Sequence, residues 1–275
     1  MTISANNLHY VSDLVRARSA IVLGDEKAYL VEARLAPLAH DAGFASVDAL
    51  VIELKSTPAN DLHVRVVEAM TTNETSFFRD GHPFEALRTL VVPTLASAYP
   101  ARPLRIWCAA ASTGQEAYSV AMIVREHFPA LPVEIIATDL NLAVLERARS
   151  GIYRASEVRR GLPPALLARY FDAVGSDWQV KEDLRRMVKF RTLNLAIPWP
   201  TMPLVDVILL RNVLIYFDAD TKKGILARAR EQLTPGGYLM LGSTESALGL
   251  SDKLLRVRAG ASTIYRPARS GERAA

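Results

Sequence analysis

A chain of 275 residues, half of them hydrophobic, is long enough for a full hydrophobic core and for two domains. Its single cysteine, Cys108, excludes an internal disulfide, and its five histidines lack metal-ligand spacing, so we expect no metal site. The net charge of +4 comes without a basic run or interleaved aromatic and basic residues, which argues against nucleic acid as a partner. No apolar run is as long as a membrane span, so we expect no membrane insertion. The single cysteine makes a cytoplasmic location the simplest interpretation, and we expect a monomer.

The first 70 residues are predicted to form an all-α domain. Apolar residues recur there at the helical spacing i, i+4, i+7: Val31, Leu35 and Leu38, and then Leu62, Val66 and Ala69. Gly43 is a candidate helix end and Ser46 a candidate N-cap. Pro37 is expected to interrupt the helix around it, because an interior proline removes a backbone hydrogen bond. The segment is net acidic, with 6 Lys or Arg against 9 Asp or Glu.

From Arg105 onward, short apolar runs alternate with amphipathic helical stretches. The predicted strands lie in RIWCAA (105–110), VEIIATD (133–139), VDVILLRN (205–212) and, after a Pro-Gly-Gly turn, GYLMLGS (237–243). Continuous apolar strands separated by helices indicate a parallel sheet that is covered on both faces. The stretch KLLRVRAGASTIYRP (253–267) instead predicts two strands joined at Ala259-Gly260, a hairpin that closes the edge of the sheet.

A basic insert, from Tyr153 to Arg191, lies between the second predicted strand–helix unit and the stretch FRTLNL (190–195). It carries 9 Lys or Arg against 5 Asp or Glu from residue 154 onward. Val188 and Phe190 alternate with charged residues, which predicts a strand. We expect this strand to belong to a short antiparallel sheet that projects from the main one.

The turn after the first strand, Ala109 to Gly114, carries only small side chains. Ligands of an open parallel sheet bind beyond the carboxyl ends of its strands, where this turn lies. A dinucleotide would require the G-x-G-x-x-G motif, which the sequence lacks. The turn therefore favours a phosphate-free ligand such as S-adenosylmethionine, whose cationic groups Glu116 could face. Small residues at a strand–helix junction serve simple packing as often, so this signal is weak alone.

Polar residues also end two other predicted strands. Asp139 ends VEIIATD, where nucleotide-binding α/β proteins use a carboxylate to accept hydrogen bonds from a ribose diol. The alternative role for Asp139 is to cap the helix that begins near Asn141. Arg211 and Asn212 follow the buried strand VDVILL, and buried strands seldom end in such a pair without a use for it. Capping of the next helix is again the alternative.

Five blocks of sequence, taken together, resemble the chemotaxis receptor methyltransferases of the CheR family in order and spacing. They are TTNETSFFRD (71–80), AAASTGQEAYSVAM (109–122), ATDLNLAVLERARSGIYR (137–154), FRTLNL (190–195) and RNVLIYF (211–217). The resemblance implies an α/β fold: a Rossmann-like class I methyltransferase sheet with a C-terminal antiparallel hairpin, a small antiparallel β insert and an N-terminal all-α helical domain. It also implies methyl transfer from S-adenosylmethionine, leaving S-adenosylhomocysteine, to glutamate side chains on the cytoplasmic helical bundle of chemoreceptors.

The resemblance assigns expected roles to ten positions. The methionine end of the cofactor would be held by Asn73, Thr75 and Arg79, and Glu116 would face it. Asp139 would bind the ribose, and the adenine would be bordered by Asn194 and Leu195. Arg211 and Asn212 would line the site beneath the cofactor, and Tyr216 would point towards the methyl group and the incoming glutamate. Arg79 and Tyr216 are the two expected catalytic residues. A tyrosine in this place would position the reactants, because a glutamate carboxylate is already ionised near neutral pH and needs no general base.

The implied organisation is a helical domain (1–70), a linker that contacts the cofactor (71–95), a cofactor-binding domain (96–267) with the insert, and a disordered tail (268–275). Two features depart from the family. The loop AVGSD is short, so we expect no binding of a receptor C-terminal pentapeptide. The N-terminal segment is acidic, whereas family members often carry a basic helix there. Two other functions stay open: methylation of another carboxylate or small molecule, and non-catalytic sensing of S-adenosylmethionine.

Overall fold

A computed structural model of the chain describes residues 3–269 and Glu272, which divide between two compact units. The first unit comprises the residues up to Thr72 together with Tyr216–Thr221. The second comprises Asn73–Ile215 and the residues from Lys222 onward. Among the described helices, none combines the length and the apolar character that crossing a membrane requires.

Four α-helices lie between Ile3 and Thr72: α1 (Ala5–Ser19), α2 (Ala28–Asp41), α3 (Val47–Ser56) and α4 (Asp61–Met70). The expected interruption at Pro37 is wrong, because α2 continues through this residue. Val31, Leu35 and Leu38 lie on the buried face of α2. Their burial offsets the one backbone hydrogen bond that the proline removes.

The two predicted helix boundaries in this unit are confirmed. Gly43, with φ of +82°, follows α2. The Phe44 amide donates to the Ala39 carbonyl (2.8 Å) and the Gly43 amide to the His40 carbonyl (3.0 Å), the pair of bonds that defines a Schellman end. The side chain of Ser46 caps α3 by accepting a hydrogen bond from the amide of Ala49, at 3.1 Å.

The second unit begins with helical turns and continues as an α/β domain. Its first elements are α5 (His82–Ala86), a π-helical turn (Leu87–Val91) and α6 (Val92–Ala98). Then follow β1 (Leu104–Ala109), α7 (Gln115–His127), β2 (Val133–Asp139), α8 (Leu142–Ser150), β3 (Ile152–Arg154), α9 (Ala155–Arg159), α10 (Pro164–Tyr170), β4 (Phe171–Val174), β5 (Asp177–Val180), α11 (Glu182–Arg185) and β6 (Val188–Thr192). The last elements are β7 (Val205–Leu210), a 3-10 turn (Leu214–Tyr216), α12 (Ala219–Gln232), β8 (Leu233–Leu241), β9 (Leu254–Ala259) and β10 (Ser262–Pro267).

Seven strands form the main sheet, in the order β6-β2-β1-β7-β8-β10-β9. The first five in this order are parallel, and β10 runs antiparallel between β8 and β9. Every residue of β7 is buried, as expected for a strand covered on both faces. The predicted parallel sheet and its closing hairpin are therefore confirmed, and the carboxyl ends of the five parallel strands lie along one edge.

The insert contains a three-stranded antiparallel sheet in the order β3-β5-β4. Gly175 and Ser176 alone connect β4 to β5, so the loop that looked short in the sequence is a two-residue turn. The expectation for Val188 to Arg191 is wrong in one respect. These residues form a strand, but β6 pairs in parallel with β2 at the edge of the main sheet, with Val188 opposite Ile135.

The Pro-Gly-Gly sequence bends the chain within β8 and does not precede it. Val205 of β7 pairs with Leu233, whereas Val207 pairs with Tyr238, so one residue of β7 faces four of β8. The hydroxyl of Thr234, in this bulge, donates to the Asp206 carboxylate at 2.9 Å. The predicted turn is therefore a bulge inside a longer strand.

Three residues of the predicted tail 268–275 are described. The Ala268 amide donates to the carbonyl of Lys253 at 2.9 Å, and the Arg269 amide donates to the Glu272 carboxylate at 2.9 Å. The rest of the predicted tail lies outside the described residues.

Candidate functional site

The turn between β1 and α7 follows a path that few non-glycine residues adopt. Ala110 and Ser112 have φ of +61° and +50°, and Gly114 has φ of +93°. The amide of Ala111 donates to the Thr138 carbonyl at the end of β2, at 2.8 Å. The small side chains predicted to matter here therefore let the backbone turn sharply at the carboxyl edge of the sheet.

Gly114 is enclosed by side chains of other elements. A Cβ atom added to it would lie 3.0 Å from the Cβ of Ala148 and 3.2 Å from both Phe190 and the Tyr153 hydroxyl. That hydroxyl donates to the Thr113 carbonyl at 2.6 Å. The turn thus packs against α8, β6 and β3, and a side chain at this position would push these neighbours aside and strain a backbone with positive φ.

Asp139 lies beside this turn at the end of β2 and is buried, 8% exposed. Its carboxylate accepts hydrogen bonds from the amides of Ser112 (2.8 Å) and Asn141 (3.0 Å). The N-cap of α8 is Asn141, whose side chain accepts from the amide of Val144 at 3.2 Å. Asp139 is therefore not the N-cap of α8. Its carboxylate instead links the β1–α7 turn to the turn between β2 and α8.

The segment before α5 crosses the same turn. The Ser112 hydroxyl donates to the Asn73 carbonyl at 2.8 Å. Asn73 and Thr75 line a cavity of about 570 Å³. The Arg79 guanidinium donates to the Glu74 carbonyl at 2.9 Å and is partly exposed. Three of the predicted cofactor residues therefore lie in one segment over the β1–α7 turn.

Buried contacts hold this segment in place. Phe77 is fully buried, and its ring lies 5.0 Å from that of Tyr153. The amide of Phe78 donates to the hydroxyl of the buried Ser119, at 3.0 Å. Phe78 and Asp80 both have positive φ, +50° and +68°. The chain is therefore folded back on itself around Arg79.

Arg211, directly after β7, is the centre of a buried ion-pair network. Its side chain is 1% exposed. The guanidinium donates to the Glu116 carboxylate at 2.8 Å, to the Asp80 carboxylate at 2.9 Å and to the carbonyl of Arg79 at 2.9 Å. It also lies 5.4 Å from the ring centre of Phe84. Arg211 thus joins β7, α7 and the segment before α5.

Opposing effects act on Glu116. Burial raises the pKa of Glu116, and Glu245 raises it further, while the guanidinium of Arg211 opposes both. The geometry shows what the sequence did not: the carboxylate expected to face a cationic ligand already has a buried arginine as its partner. Glu116 and Arg211 therefore form a buried ion pair.

Glu245 is a site residue that the sequence reasoning missed. Its carboxylate accepts hydrogen bonds from four backbone amides, those of Asn212 (2.7 Å), Val213 (2.8 Å), Leu214 (2.7 Å) and Gly242 (2.7 Å). Asn212 has φ of +57°, and these bonds hold it in that conformation. No local pattern around Glu245 signals this role, because three of its four partners follow β7, more than 30 residues earlier in the chain.

Asn194 and Leu195 follow β6, next to the end of β2. The amide of Leu193 donates to the carbonyl of Asp139 at 2.9 Å. The Asn194 side chain accepts from the amide of Ala196 at 2.9 Å, and Leu195 is buried. Both residues thus lie beside the carboxyl end of β2, and their expected role at the adenine stays a prediction.

Tyr216 is the one predicted site position that is assigned to the first unit. It ends the 3-10 turn after β7 and belongs to the segment Tyr216–Thr221 of the first unit. Within that unit, its carbonyl accepts a hydrogen bond from the amide of Val22 at 3.1 Å. Its expected catalytic role stays a prediction.

The structure gives Cys108 no reactive character. This residue is buried in β1, and burial raises the pKa of its thiol well above the usual value. Across residues 3–269 and Glu272, no three His, Cys, Asp or Glu side chains are grouped as metal ligands would be.

The seven strands of the main sheet can be numbered by themselves in chain order, from 1 for β1 to 7 for β10. They then lie side by side in the order 3-2-1-4-5-7-6, and the seventh is antiparallel. A buried acid ends the second strand beside the first strand–helix turn. This arrangement has the topology of the class I methyltransferase fold.

Comparison with known proteins identifies the family. The chain belongs to the CheR methyltransferases: the family model of their SAM binding domain matches residues 73–261, and that of their all-alpha domain matches residues 6–71. A chemotaxis protein methyltransferase of Pseudomonas aeruginosa is 44% identical over 90% of this chain and 92% of its own. Another, from Vibrio parahaemolyticus, is 39% identical over 97% of this chain and 98% of its own.

These matches confirm the predicted family, fold class and cofactor. The chain is an S-adenosylmethionine-dependent methyltransferase of chemotaxis, and its cofactor domain and all-α domain are both those of the CheR family.

Proposed function

We propose that the chain transfers the methyl group to glutamate side chains on the cytoplasmic helices of chemoreceptors, forming γ-glutamyl methyl esters. The observation that carries this proposal is the extent of the match. The relatives that share 39–44% identity are chemotaxis protein methyltransferases, and the similarity runs through both domains. A methyltransferase acting on a small molecule has no need of the all-α domain.

The described residues fit a nucleoside cofactor without phosphate. The β1–α7 turn is tightly packed at Gly114 and brings its backbone against the buried Asp139. In our proposal Asp139 binds the ribose, Asn194 and Leu195 border the adenine, and Asn73, Thr75 and Arg79 bind the methionine end. When bound, S-adenosylmethionine supplies an electrophilic methyl group on a sulfonium.

Arg79 suits the carboxylate end of the cofactor. Its guanidinium is partly exposed and one of its terminal nitrogens donates to a backbone carbonyl, that of Glu74. A planar guanidinium can bind a carboxylate through two parallel hydrogen bonds, which a lysine cannot reproduce. In our proposal this end of the site is also lined, on the side beneath the cofactor, by Glu116, Arg211 and Asn212.

The proposed reaction depends on alignment more than on proton transfer. A glutamate side chain, with a reference pKa of about 4.3, is already an ionised nucleophile near neutral pH. Holding its oxygen in line with the methyl carbon and the sulfur can lower the barrier by about 7–11 kcal/mol. We assign Tyr216 to this alignment, so it positions the acceptor and removes no proton.

Replacing Tyr216 by phenylalanine tests that assignment. We expect Tyr216→Phe to lower kcat by about tenfold or more while the Kd for S-adenosylmethionine stays within about twofold, because the hydroxyl would act on the reactants only during transfer. Initial rates with receptor membranes and calorimetric titration of the cofactor give the two values. Weaker cofactor binding at an unchanged kcat would contradict the placement of Tyr216.

The proposed activity is tested with methyl-labelled S-adenosylmethionine and chemoreceptor-containing membranes. Carboxyl methyl esters release labelled methanol in alkali, so we expect alkali-labile label on the receptor. A receptor in which the accepting glutamates are replaced by alanine is the matched control and should stay unlabelled. An alkali-stable methylated product would instead indicate methylation of another group, and S-adenosylmethionine binding without any transfer would indicate a sensor.

The proposed partner is the receptor's helical bundle, without its C-terminal pentapeptide. The two-residue turn between β4 and β5 supports this part of the proposal, because it leaves the insert sheet without an extended loop at that end. Measurable binding of an isolated pentapeptide would contradict it.

A further inference from the structure

A second pocket, separate from the residues assigned to the cofactor, opens beyond the carboxyl end of β8. Its volume is about 290 Å³. The loop after β8 forms one side through Ser243 and Ser246, and the closing hairpin forms the other through Arg256, Ser262 and Thr263. Nothing in the proposed binding of the cofactor uses these residues.

This pocket shares a wall with the candidate site. Gly242 and Glu245 line the pocket, and Glu245 holds the backbone of Asn212, Val213 and Leu214. A Cβ added to Gly242 would lie 2.8 Å from the Asn212 amide nitrogen. The pocket and the segment after β7 are thus in direct contact through the loop after β8, and a group bound in the pocket would lie close to Asn212.

The pocket's one arginine is available to a ligand. Arg256 is exposed on β9, and its guanidinium donates to the Thr263 hydroxyl at 3.3 Å. In the part of the chain that the structure describes, neither Arg256 nor Arg258, its neighbour on the same face of β9, pairs with a carboxylate. Glu245 does not fill this role, because its two oxygens already accept four backbone hydrogen bonds.

A buried hydroxyl in the pocket wall also lacks a partner. Ser262 is 5% exposed, and its Oγ makes no hydrogen bond among the described residues. Buried hydroxyls are normally satisfied, so one without a protein partner in a pocket wall points to a ligand that supplies it. Together with Arg256, this hydroxyl suits a group that accepts hydrogen bonds.

The charge distribution of the chain favours an acidic partner here. The first 70 residues are net acidic, whereas the rest carries 27 Lys or Arg against 20 Asp or Glu. The closing hairpin and its flanks contain four cationic residues, Lys253, Arg256, Arg258 and Arg266. Among the described residues, only the last of them has a carboxylate partner, Glu272.

We propose that this pocket binds an acidic side chain of the protein acceptor, on the same helical surface as the glutamate that is methylated, and that Arg256 is its anchor. The inference rests on the proposed function and adds to it a second contact point for the acceptor. It assigns the recognition of acidic receptor helices to the closing hairpin, since the first 70 residues lack the net positive charge for it.

Charge reversal at Arg256 tests the proposal, with Arg258 as the matched control. Both arginines are exposed on the same face of β9, but only Arg256 lines the pocket. We expect Arg256→Glu to raise the KM for receptor membranes by about tenfold or more, and Arg258→Glu by less than about threefold. The Kd for S-adenosylmethionine should be unchanged in both, because neither residue lies among those assigned to the cofactor.

A binding measurement keeps the test independent of the chemistry. The purified receptor cytoplasmic fragment is titrated by calorimetry into the wild-type chain, Arg256→Glu and Arg258→Glu, at low and high salt. Selective weakening by Arg256→Glu, with a flatter salt dependence, supports the proposal. Equal weakening by both variants would mean that the effect comes from general surface charge, and this would overturn the proposal. Unchanged binding by Arg256→Glu would overturn it as well.

The two proposals fail in different ways. If the wild-type chain forms no alkali-labile ester, the proposed function fails, whereas the calorimetric comparison still decides whether the pocket recognises an acidic protein. If the ester forms and Arg256→Glu keeps the wild-type KM and fragment affinity, only the pocket assignment fails.

Discussion

Replacing Arg211 by methionine should lower the free energy of unfolding by about 3–5 kcal/mol, the cost of leaving a buried charge without its partner. The variant keeps much of the side-chain volume but leaves the carboxylates of Glu116 and Asp80 without the guanidinium that they pair with. Urea denaturation followed by circular dichroism measures the change. The exposed pair of Arg186 with Glu182 provides the control, and Arg186→Met should unfold at nearly the wild-type urea concentration.

The pH dependence of the Arg211→Met variant gives a second readout. Without the guanidinium, the strongest opposition to the burial that raises the pKa of Glu116 is lost and only the more weakly acting Arg79 still lowers it, so the carboxyl stays protonated to higher pH in the folded state. The unfolded chain ionises near the ordinary value of 4.5 and then binds fewer protons than the folded one. Stability should therefore fall as pH rises above that value, and the deficit relative to wild type should be smaller near pH 4.5. An equal deficit at pH 4.5 and pH 7.5 would contradict this account.

Replacing Asp139 by alanine should weaken the binding of S-adenosylmethionine by about 1–3 kcal/mol, through the loss of the charge-assisted hydrogen bonds that we propose it makes to the ribose. Calorimetric titration of the cofactor measures the effect directly. Because Asp139 also accepts hydrogen bonds from Ser112 and Asn141, part of the loss would come through the shape of the β1–α7 turn.

The N-cap residue Asn141 separates these contributions. Asn141→Ala removes the cap of α8 but leaves the carboxylate, so it should cost about 1 kcal/mol of stability with little change in cofactor affinity. Unchanged affinity in Asp139→Ala would show that this acid serves only the local backbone.

Much of the sheet could be predicted because its central parallel strands, β1 and β7, are buried on both faces and therefore appear as mainly apolar runs. The stretch VDVILL is the clearest case, and β7 coincides with it. The failures have a different origin. Alternation in Val188 to Arg191 shows which side chains share a face of β6, but it contains nothing about the partner strand, so the strand was assigned to the wrong sheet.

The candidate site was predictable as an edge of the sheet but not as a network. Asp139 and Arg211 could be placed at the carboxyl ends of their strands from the apolar runs before them. Arg211, however, pairs with Glu116 and Asp80, which are 95 and 131 residues away in the chain. The sequence gives no sign of the role of Glu245, because its hydrogen-bond partners are backbone amides and the sequence does not show how a distant turn is oriented.

The position of β10 has a consequence for biosynthesis. This strand is translated after both of its neighbours, yet it separates them in the finished sheet. Until it emerges from the ribosome, the apolar edge of β8 around Met240 has no partner and could pair with other nascent chains. Defects in this hairpin should therefore reduce the yield of intact enzyme during synthesis, a loss that assays on the purified protein would miss.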